Sequence, residues 1–200
     1  IPAVALRRFW NMIAHYHGQT LNVSELGRAM DVTPGTARHY LDILSGAFLV
    51  RLLPPWHANL KKRQVKSPKL YLRDTGMLHV LLGAETRAQL DAHPRRGASW
   101  EGFALHETLC AHGDGDAYFW STQRGAELDL LLSRGERRWG VEFKHTDAPV
   151  ATRSMHIALA DLNLDHLFVV YPGKLRYAID KRIEAIPLNE VARLELGRSW

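Results

Sequence analysis

The sequence predicts an α+β protein in two parts, a basic helical half followed by an α/β half built on a mixed sheet. Three observations carry this expectation. Hydrophobic residues make up 46% and charged residues 24% of the 200 positions, the balance of a globular chain of one large or two small domains. Residues 1–75 hold 11 Lys/Arg against 4 Asp/Glu, a net +7, whereas the remainder holds 15 against 17, a net −2. The chain opens in helical spacing, and short apolar strands dominate after Tyr118.

The first half is taken element by element. Leu6, Phe9, Trp10 and Ile13 have helical spacing, predicting a first helix that ends near Gly18. Ser24 is the expected N-cap of a short helix from Glu25 to Met30, and Asp31-Val32 makes a turn. Thr33 caps a third helix with Pro34 at its first position, where proline is tolerated. Ala37, Tyr40, Leu41 and Leu44 form its inner stripe, which leaves Gly35, Thr36, Arg38, His39 and Asp42 outward, and Gly46 ends it. Phe48–Leu53 follows as a strand, then the basic loop Leu60–Lys66, then the strand Lys69–Leu72. Two helices around a tight turn with a basic hairpin behind them read as a winged helix-turn-helix over 1–82. The expected nucleic-acid contacts are Thr36, Arg38 and His39 on the third helix, in the major groove, and Lys61, Lys62, Arg63 and Lys66 on phosphates. The alternative for such a fold is a protein-docking module; the +7 balance favours DNA, with duplex as the expected form.

Residues 83–98, with His93-Pro94-Arg95-Arg96-Gly97, read as the connection to a second domain over 99–200. Ser99–Leu109 is an amphipathic helix that puts Glu101 on the stripe of Leu105 and Leu109. An acid on an inward stripe belongs either to a site or to the helix N-terminus, where negative charge is stabilising. Tyr118–Ser121 is a strand, Pro149–Leu162 suits a crossover helix, and His166–Tyr171 is a buried strand. Ile183–Ile186 is expected as a last strand and Leu188–Leu194 as a terminal helix.

The chemistry concentrates in a hairpin. Glu127-Leu128-Asp129-Leu130-Leu131-Leu132 and Trp139-Gly140-Val141-Glu142-Phe143-Lys144 flank Ser133-Arg134-Gly135-Glu136. A two-residue type II′ turn at Gly135-Glu136 makes opposed residue numbers sum to 271. Asp129 then faces Glu142, and Glu127 faces Lys144, with Cβ atoms roughly 4.5–5.5 Å apart. Two carboxylates that close repel unless they share a proton or a cation, and a hard divalent ion such as Mg²⁺ or Mn²⁺ resolves the conflict. A lysine beside such an ion suits phosphodiester cleavage. The alternative is a Glu127–Lys144 cross-strand ion pair with two hydrated acids nearby, worth about 0.2–1 kcal/mol.

An acid on a helix, an Asp on a strand and a Glu-x-Lys on the next strand, followed by helix and strand, resemble the restriction-endonuclease-like PD-(D/E)xK superfamily. The resemblance implies Glu101 as the helix acid, Asp129 and Glu142 as metal carboxylates and Lys144 as the catalytic lysine, with Glu101 joining the metal. The chain departs from the pattern at Leu128, where Pro would stand. At larger scale the chain is similar to the C-terminal part of a prokaryotic AAA-type ATPase family, in which a P-loop module precedes a winged helix and a domain of unknown function with this nuclease-like core. The stretches that carry it are Lys66–Gly76, Gly97–Phe103 and Tyr118–Lys144. No Gly-x-x-x-x-Gly-Lys-[Ser/Thr] loop is present, so ATP and the ATPase partner are expected upstream of this chain.

Other classes are set aside by composition. No stretch approaches the ~18 apolar residues of a membrane span. Cys110 is the lone cysteine, which leaves no disulfide framework or cysteine zinc site, and a reducing cytoplasm is the expected compartment. The 11 histidines are scattered without a His-Glu-x-x-His pattern, and His15, His17, His106 and His112 are expected at solvated or capping positions. The chain begins at Ile1, already in helical pattern, and reads as a fragment of a longer protein. Two functions stand: a metal-dependent nuclease module targeted by a winged helix, and an inert nucleic-acid- or protein-binding module that regulates an ATPase.

Overall fold

The computed structural model describes residues 3–56 and 67–196 and is a mixed α+β structure in two compact units. The first unit takes Ile1–Leu53 with Ser67–Phe103, and the second Pro54–Lys66 with Ala104–Trp200.

In the first unit the order is α1 (Ala3–His15), β1 (Gln19–Thr20), α2 (Val23–Met30), α3 (Pro34–Gly46), β2 (Val50–Leu53), β3 (Lys69–Leu72), α4 (Thr75–Leu81), α5 (Arg87–Ala92) and the start of α6 (Arg96–His112). The strands form an antiparallel sheet in the order β1-β3-β2. Phe9, Ile13, Leu26, Leu41, Leu44, Val50, Leu70 and Leu72 fill one core, so the stripes read from α1 and α3 are its inner faces. Thr33 caps α3 by accepting from Thr36 N at 3.1 Å. The cap of α2 is Asn22, whose Oδ1 accepts from Glu25 N at 3.2 Å, and not the expected Ser24, which lies one position inside the helix. Phe48 leaves α3 with a φ of +58°, so β2 begins at Val50 and not at Phe48.

Residues 83–98, expected as a connection, carry α5 and the first residues of α6, and they belong to the first unit. The reason is a set of local partners that composition does not reveal. Thr86 and Gln89 cap α5 reciprocally. His17 is fully buried, a correction to the solvated or capping position expected for it. Its Nδ1 accepts from Leu72 N at 3.0 Å, so its Nε2 carries the hydrogen that donates to Ala98 O at 3.1 Å. Burial pushes its pKa down to about 4, which keeps this tautomer neutral. Arg95 donates to the carbonyls of His15 and His17. A Cβ on Gly102 would lie 2.2 Å from His17 Nε2, so glycine alone allows α6 to pass the ring.

The second unit holds the rest of α6 and a six-stranded mixed sheet in the order β4-β5-β6-β7-β9-β8. Its strands are β4 (Ala117–Ser121), β5 (Glu127–Arg134), β6 (Arg137–Phe143), β7 (His166–Tyr171), β8 (Tyr177–Asp180) and β9 (Ile183–Pro187). β6, β7 and β9 are mutually parallel and the other pairs antiparallel. Helix α7 (Arg153–Asp161) makes the β6–β7 crossover, as expected within 149–162, and packs on β5 and β7. Met155, Ala158, Leu159 and Leu162 meet Leu128, Leu131, Leu167, Val169 and Ile183 there. Pro54–Trp56 runs along the β4 edge, with Trp56 N donating to Phe119 O at 2.7 Å. The expected terminal helix is a 3₁₀ segment, Leu188–Arg193, and β8 was not foreseen. Among the described residues no helix is long and apolar enough to cross a membrane.

Candidate functional site

The β5–β6 hairpin has the register read from the sequence. Leu130 pairs with Val141 and Arg134 with Arg137, numbers that sum to 271. Gly135 has a φ of +60° and Glu136 stays out of the positive region, as a type II′ turn requires. Extending the ladder by one step puts Asp129 level with Glu142.

At Asp129 the strand does something the sequence did not announce. On the β4 side Tyr118 pairs with Leu131 and Trp120 with Leu128, so Phe119 faces both Asp129 and Leu130. This is a one-residue β-bulge. It explains why Leu128 and Leu131, three apart, share the core under α7, where an unbroken strand would send them to opposite faces. Pairing with β6 ends at Leu130–Val141, and the amide of Phe143 donates instead to Asp129 Oδ2 at 3.0 Å. The bulge thus re-aims the Asp129 side chain onto the backbone beside Glu142.

Glu142 is the most perturbed acid described. Its side chain is 3% exposed, its Oε2 lies 2.8 Å from Lys144 Nζ, and its Oε1 is buried with no hydrogen-bond partner. Burial pushes its pKa up to about 8, the negative charge of Asp129 adds to the rise, Lys144 opposes it, and Glu127 adds a smaller upward push. Lys144 pairs with the acid two residues before it on its own strand, and its side chain is 39% exposed. Its amide donates to Val170 O at 3.0 Å, which continues the parallel pairing of β6 with β7 and fixes its Cα. Asp129, Glu142 and Lys144 are therefore gathered at the carboxyl end of β6, the end of parallel strands where ligands bind in open α/β sheets.

Glu101 takes its partners in the first unit. Tyr71 OH donates to its Oε1 at 2.6 Å, and Lys69 Nζ lies 3.5 Å from the same oxygen. Tyr71 and Lys69 are buried neighbours on β3. Of the expected nucleic-acid contacts, Arg38 and His39 are exposed on α3, and the Thr36 hydroxyl is 2.9 Å from that of Thr33 at the helix cap. Lys61, Lys62, Arg63 and Lys66 lie outside the described residues.

A divalent cation is tested by the donor set. Glu142 offers an orphaned buried oxygen beside a second buried carboxylate, which suits a hard cation with oxygen ligands. Among the described residues, however, no group of three His, Cys, Asp or Glu side chains is arranged to hold a metal ion.

Fold and site together define a two-unit α+β protein whose six-stranded mixed sheet carries a buried Asp–Glu pair beside a partly exposed lysine at a bulged hairpin. Residues 1–88 match the model of a domain of unknown function (DUF8612), and residues 96–191 that of a second domain of unknown function (DUF4143). The chain is 48% identical over 191 residues to uncharacterized proteins of Mycobacterium bovis and Mycobacterium tuberculosis. That match covers 96% of this chain and 43% of each relative, so the chain spans less than half the length of the relatives it matches. No solved structure matches it.

Proposed function

We propose that this chain is the C-terminal nucleic-acid-binding and nuclease-like part of an AAA-type ATPase, cleaving phosphodiesters with Mg²⁺ or Mn²⁺. The observation that carries the reading is Glu142, a buried acid with one unbonded oxygen, beside buried Asp129 and 2.8 Å from Lys144. Asp129 and Glu142 would hold the cation, which when bound supplies charge for the phosphate and a more acidic water. Glu142 must first lose its proton, and a cation in place of that proton removes the repulsion from Asp129. Lys144, held by β6 and partly open to solvent, is placed to orient water or to meet charge developing on a phosphate oxygen.

The order α1, β1, α2, α3, β2, β3 supports a winged helix in the first unit, with Arg38 and His39 facing a groove. The strand–bulge–strand–helix–strand run supports a restriction-endonuclease-like core in the second. The ATPase assignment is supported by the DUF4143 match, a domain typical of AAA ATPase C-terminal regions, and by the length of each relative beyond the matched part.

The test is a plasmid-nicking assay with Mn²⁺ or Mg²⁺. Nicking that stops on chelation and is lost in Lys144→Ala supports the reading; wild-type activity in Lys144→Ala contradicts it. A second reading, an inert module that binds nucleic acid or protein and regulates the ATPase, is favoured by one observation. No three-ligand group exists among the described residues, and Glu101 is already engaged by Tyr71 and Lys69.

A further inference from the structure

Between the β4–β5 turn and α7 the second unit has a cavity of about 810 Å³, within the usual size range of ligand pockets. Thr122, Arg124 and Gly125 from the β4–β5 turn line one side, and Arg153, Ser154 and His156 from α7 the other. Both Arg124 and Arg153 line this space, and neither makes a hydrogen bond or ion pair among the described residues. The turn presenting Arg124 is stiff. Thr122 N donates to Ala126 O at 2.8 Å, Ala126 N to Thr122 Oγ1 at 3.2 Å, and Gly125 N to Thr122 O at 3.0 Å.

Arg153 is the first residue of α7, whose first turn has no acid. A cation there opposes the positive end of the helix dipole, an arrangement that an anion in the cavity would reverse. His156 is 3.8 Å from Asp180, and the lining carries one acid, Asp161, against two arginines. Ile157 and Ala160 give it an apolar side, and no Phe, Tyr or Trp is among its lining residues.

The cavity is tied to the cluster by covalent and hydrogen-bonded structure. Ser154 Oγ donates to Glu127 O and accepts from Glu127 N, both at 2.7 Å. Glu127 is two residues from Asp129, roughly 7 Å of strand. Glu142 is in parallel register with Val169, which packs in the core under α7, so Glu142 and the cavity share a face of the sheet.

We infer that this cavity binds the phosphodiester backbone of a nucleic-acid strand next to the linkage held at Asp129 and Glu142, with Arg124 and Arg153 contacting phosphates. The placement next to a cleaved linkage rests on the nuclease reading; the backbone contact does not. Contacts to phosphates carry no base information, so binding here has no base preference.

The test is fluorescence anisotropy of a labelled oligonucleotide, single-stranded and duplex, with the 200-residue chain in EDTA, where nothing turns over. Arg124→Ala/Arg153→Ala should weaken binding at least about tenfold at 100 mM salt. It should also flatten the slope of log K against log salt by up to ~1.8 for duplex, two phosphates at ~0.9 each. Arg124→Lys/Arg153→Lys, which keeps the charge, should retain most of the affinity. A folded Ala double variant with unchanged affinity and slope overturns the inference. So does displacement by inorganic pyrophosphate that needs the arginines while oligonucleotide binding does not, which makes the cavity a small-anion site. Arginine-dependent binding without any cleavage under Mn²⁺ sinks the nuclease reading alone, and cleavage with arginine-independent binding sinks this one alone.

Discussion

Glu101 and Glu142 are both acids turned inward beside a lysine, one in each unit, and their surroundings differ in kind. Glu101 is met by a phenol and an ammonium, Tyr71 OH at 2.6 Å and Lys69 at 3.5 Å. Glu142 is met by Lys144 on one oxygen, by nothing on the other, and by the charge of a second acid. The first acid is neutralised by its neighbours and joins α6 to β3. The second is in conflict with its neighbours, and burial holds its proton on to about pH 8. A satisfied buried acid is architecture; an unsatisfied one invites a proton or a cation. The sequence places Glu101 on an inward stripe and Glu142 opposite Asp129, and that placement alone does not separate the two cases.

The largest effect that separates them is on chemistry. Asp129→Ala and Glu142→Ala should each lower Mn²⁺-dependent nicking by at least ~100-fold, the loss seen when one electrostatic stabiliser of a transition state is removed. Glu101→Ala should leave the metal affinity of the second unit unchanged, and an equal loss of affinity would erase the distinction between the two acids. Glu101→Ala should instead cost stability, on the order of 1–3 kcal/mol, because it takes a carboxylate from the buried Lys69 and the Tyr71 hydroxyl. Urea unfolding followed by circular dichroism reads this directly.

Glu142→Gln should do the opposite. A carboxyl whose folded pKa of about 8 exceeds its unfolded value of 4.5 makes the native state bind more protons than the unfolded state between those pH values. Stability contributed by the protonated form is therefore complete below pH 4.5 and lost as pH rises through 8. The amide carries no such penalty, so the variant should melt above wild type at pH 8, by the ~2–4 °C that about 1 kcal/mol gives in a chain of this size. The two should converge at pH 4. A variant that melts lower at pH 8 would mean that Glu142 is paired as well as Glu101.

The smallest effect concerns the basic half. Lys61→Ala/Lys62→Ala/Arg63→Ala should weaken DNA binding across all sequences and reduce the salt slope by up to ~2.7, at ~0.9 per phosphate contact. A triple variant that binds as wild type does from 50 to 200 mM salt, roughly the range over which such contacts fade, would remove these residues as a phosphate clamp.

Local rules made much of this legible. The Leu130–Val141 register and the Gly135 turn follow from a two-residue hairpin, and Thr33 with Pro34 marks the start of α3. What stayed hidden depends on partners distant in sequence. The bulge at Asp129 exists only against β4, since Phe119 must face two residues. The role of Glu101 depends on Lys69 and Tyr71, thirty residues and more away. His17 reads as a surface histidine until Leu72 and Ala98 take its two nitrogens. The helical content of 83–98 was masked by Pro94 and Gly97, which stand before and at the start of α6 without interrupting it.

The central claim is that Asp129 and Glu142 form one cation site whose ligand must first shed a proton. Isothermal titration of the wild-type chain with Mn²⁺ across pH 6–9 tests it most directly. The account predicts one binding event that tightens as pH rises toward 8, releases a proton, and disappears in Asp129→Ala and in Glu142→Ala. No heat of binding in the wild type at pH 8.5, with or without DNA, or binding unaltered in both variants, would contradict it.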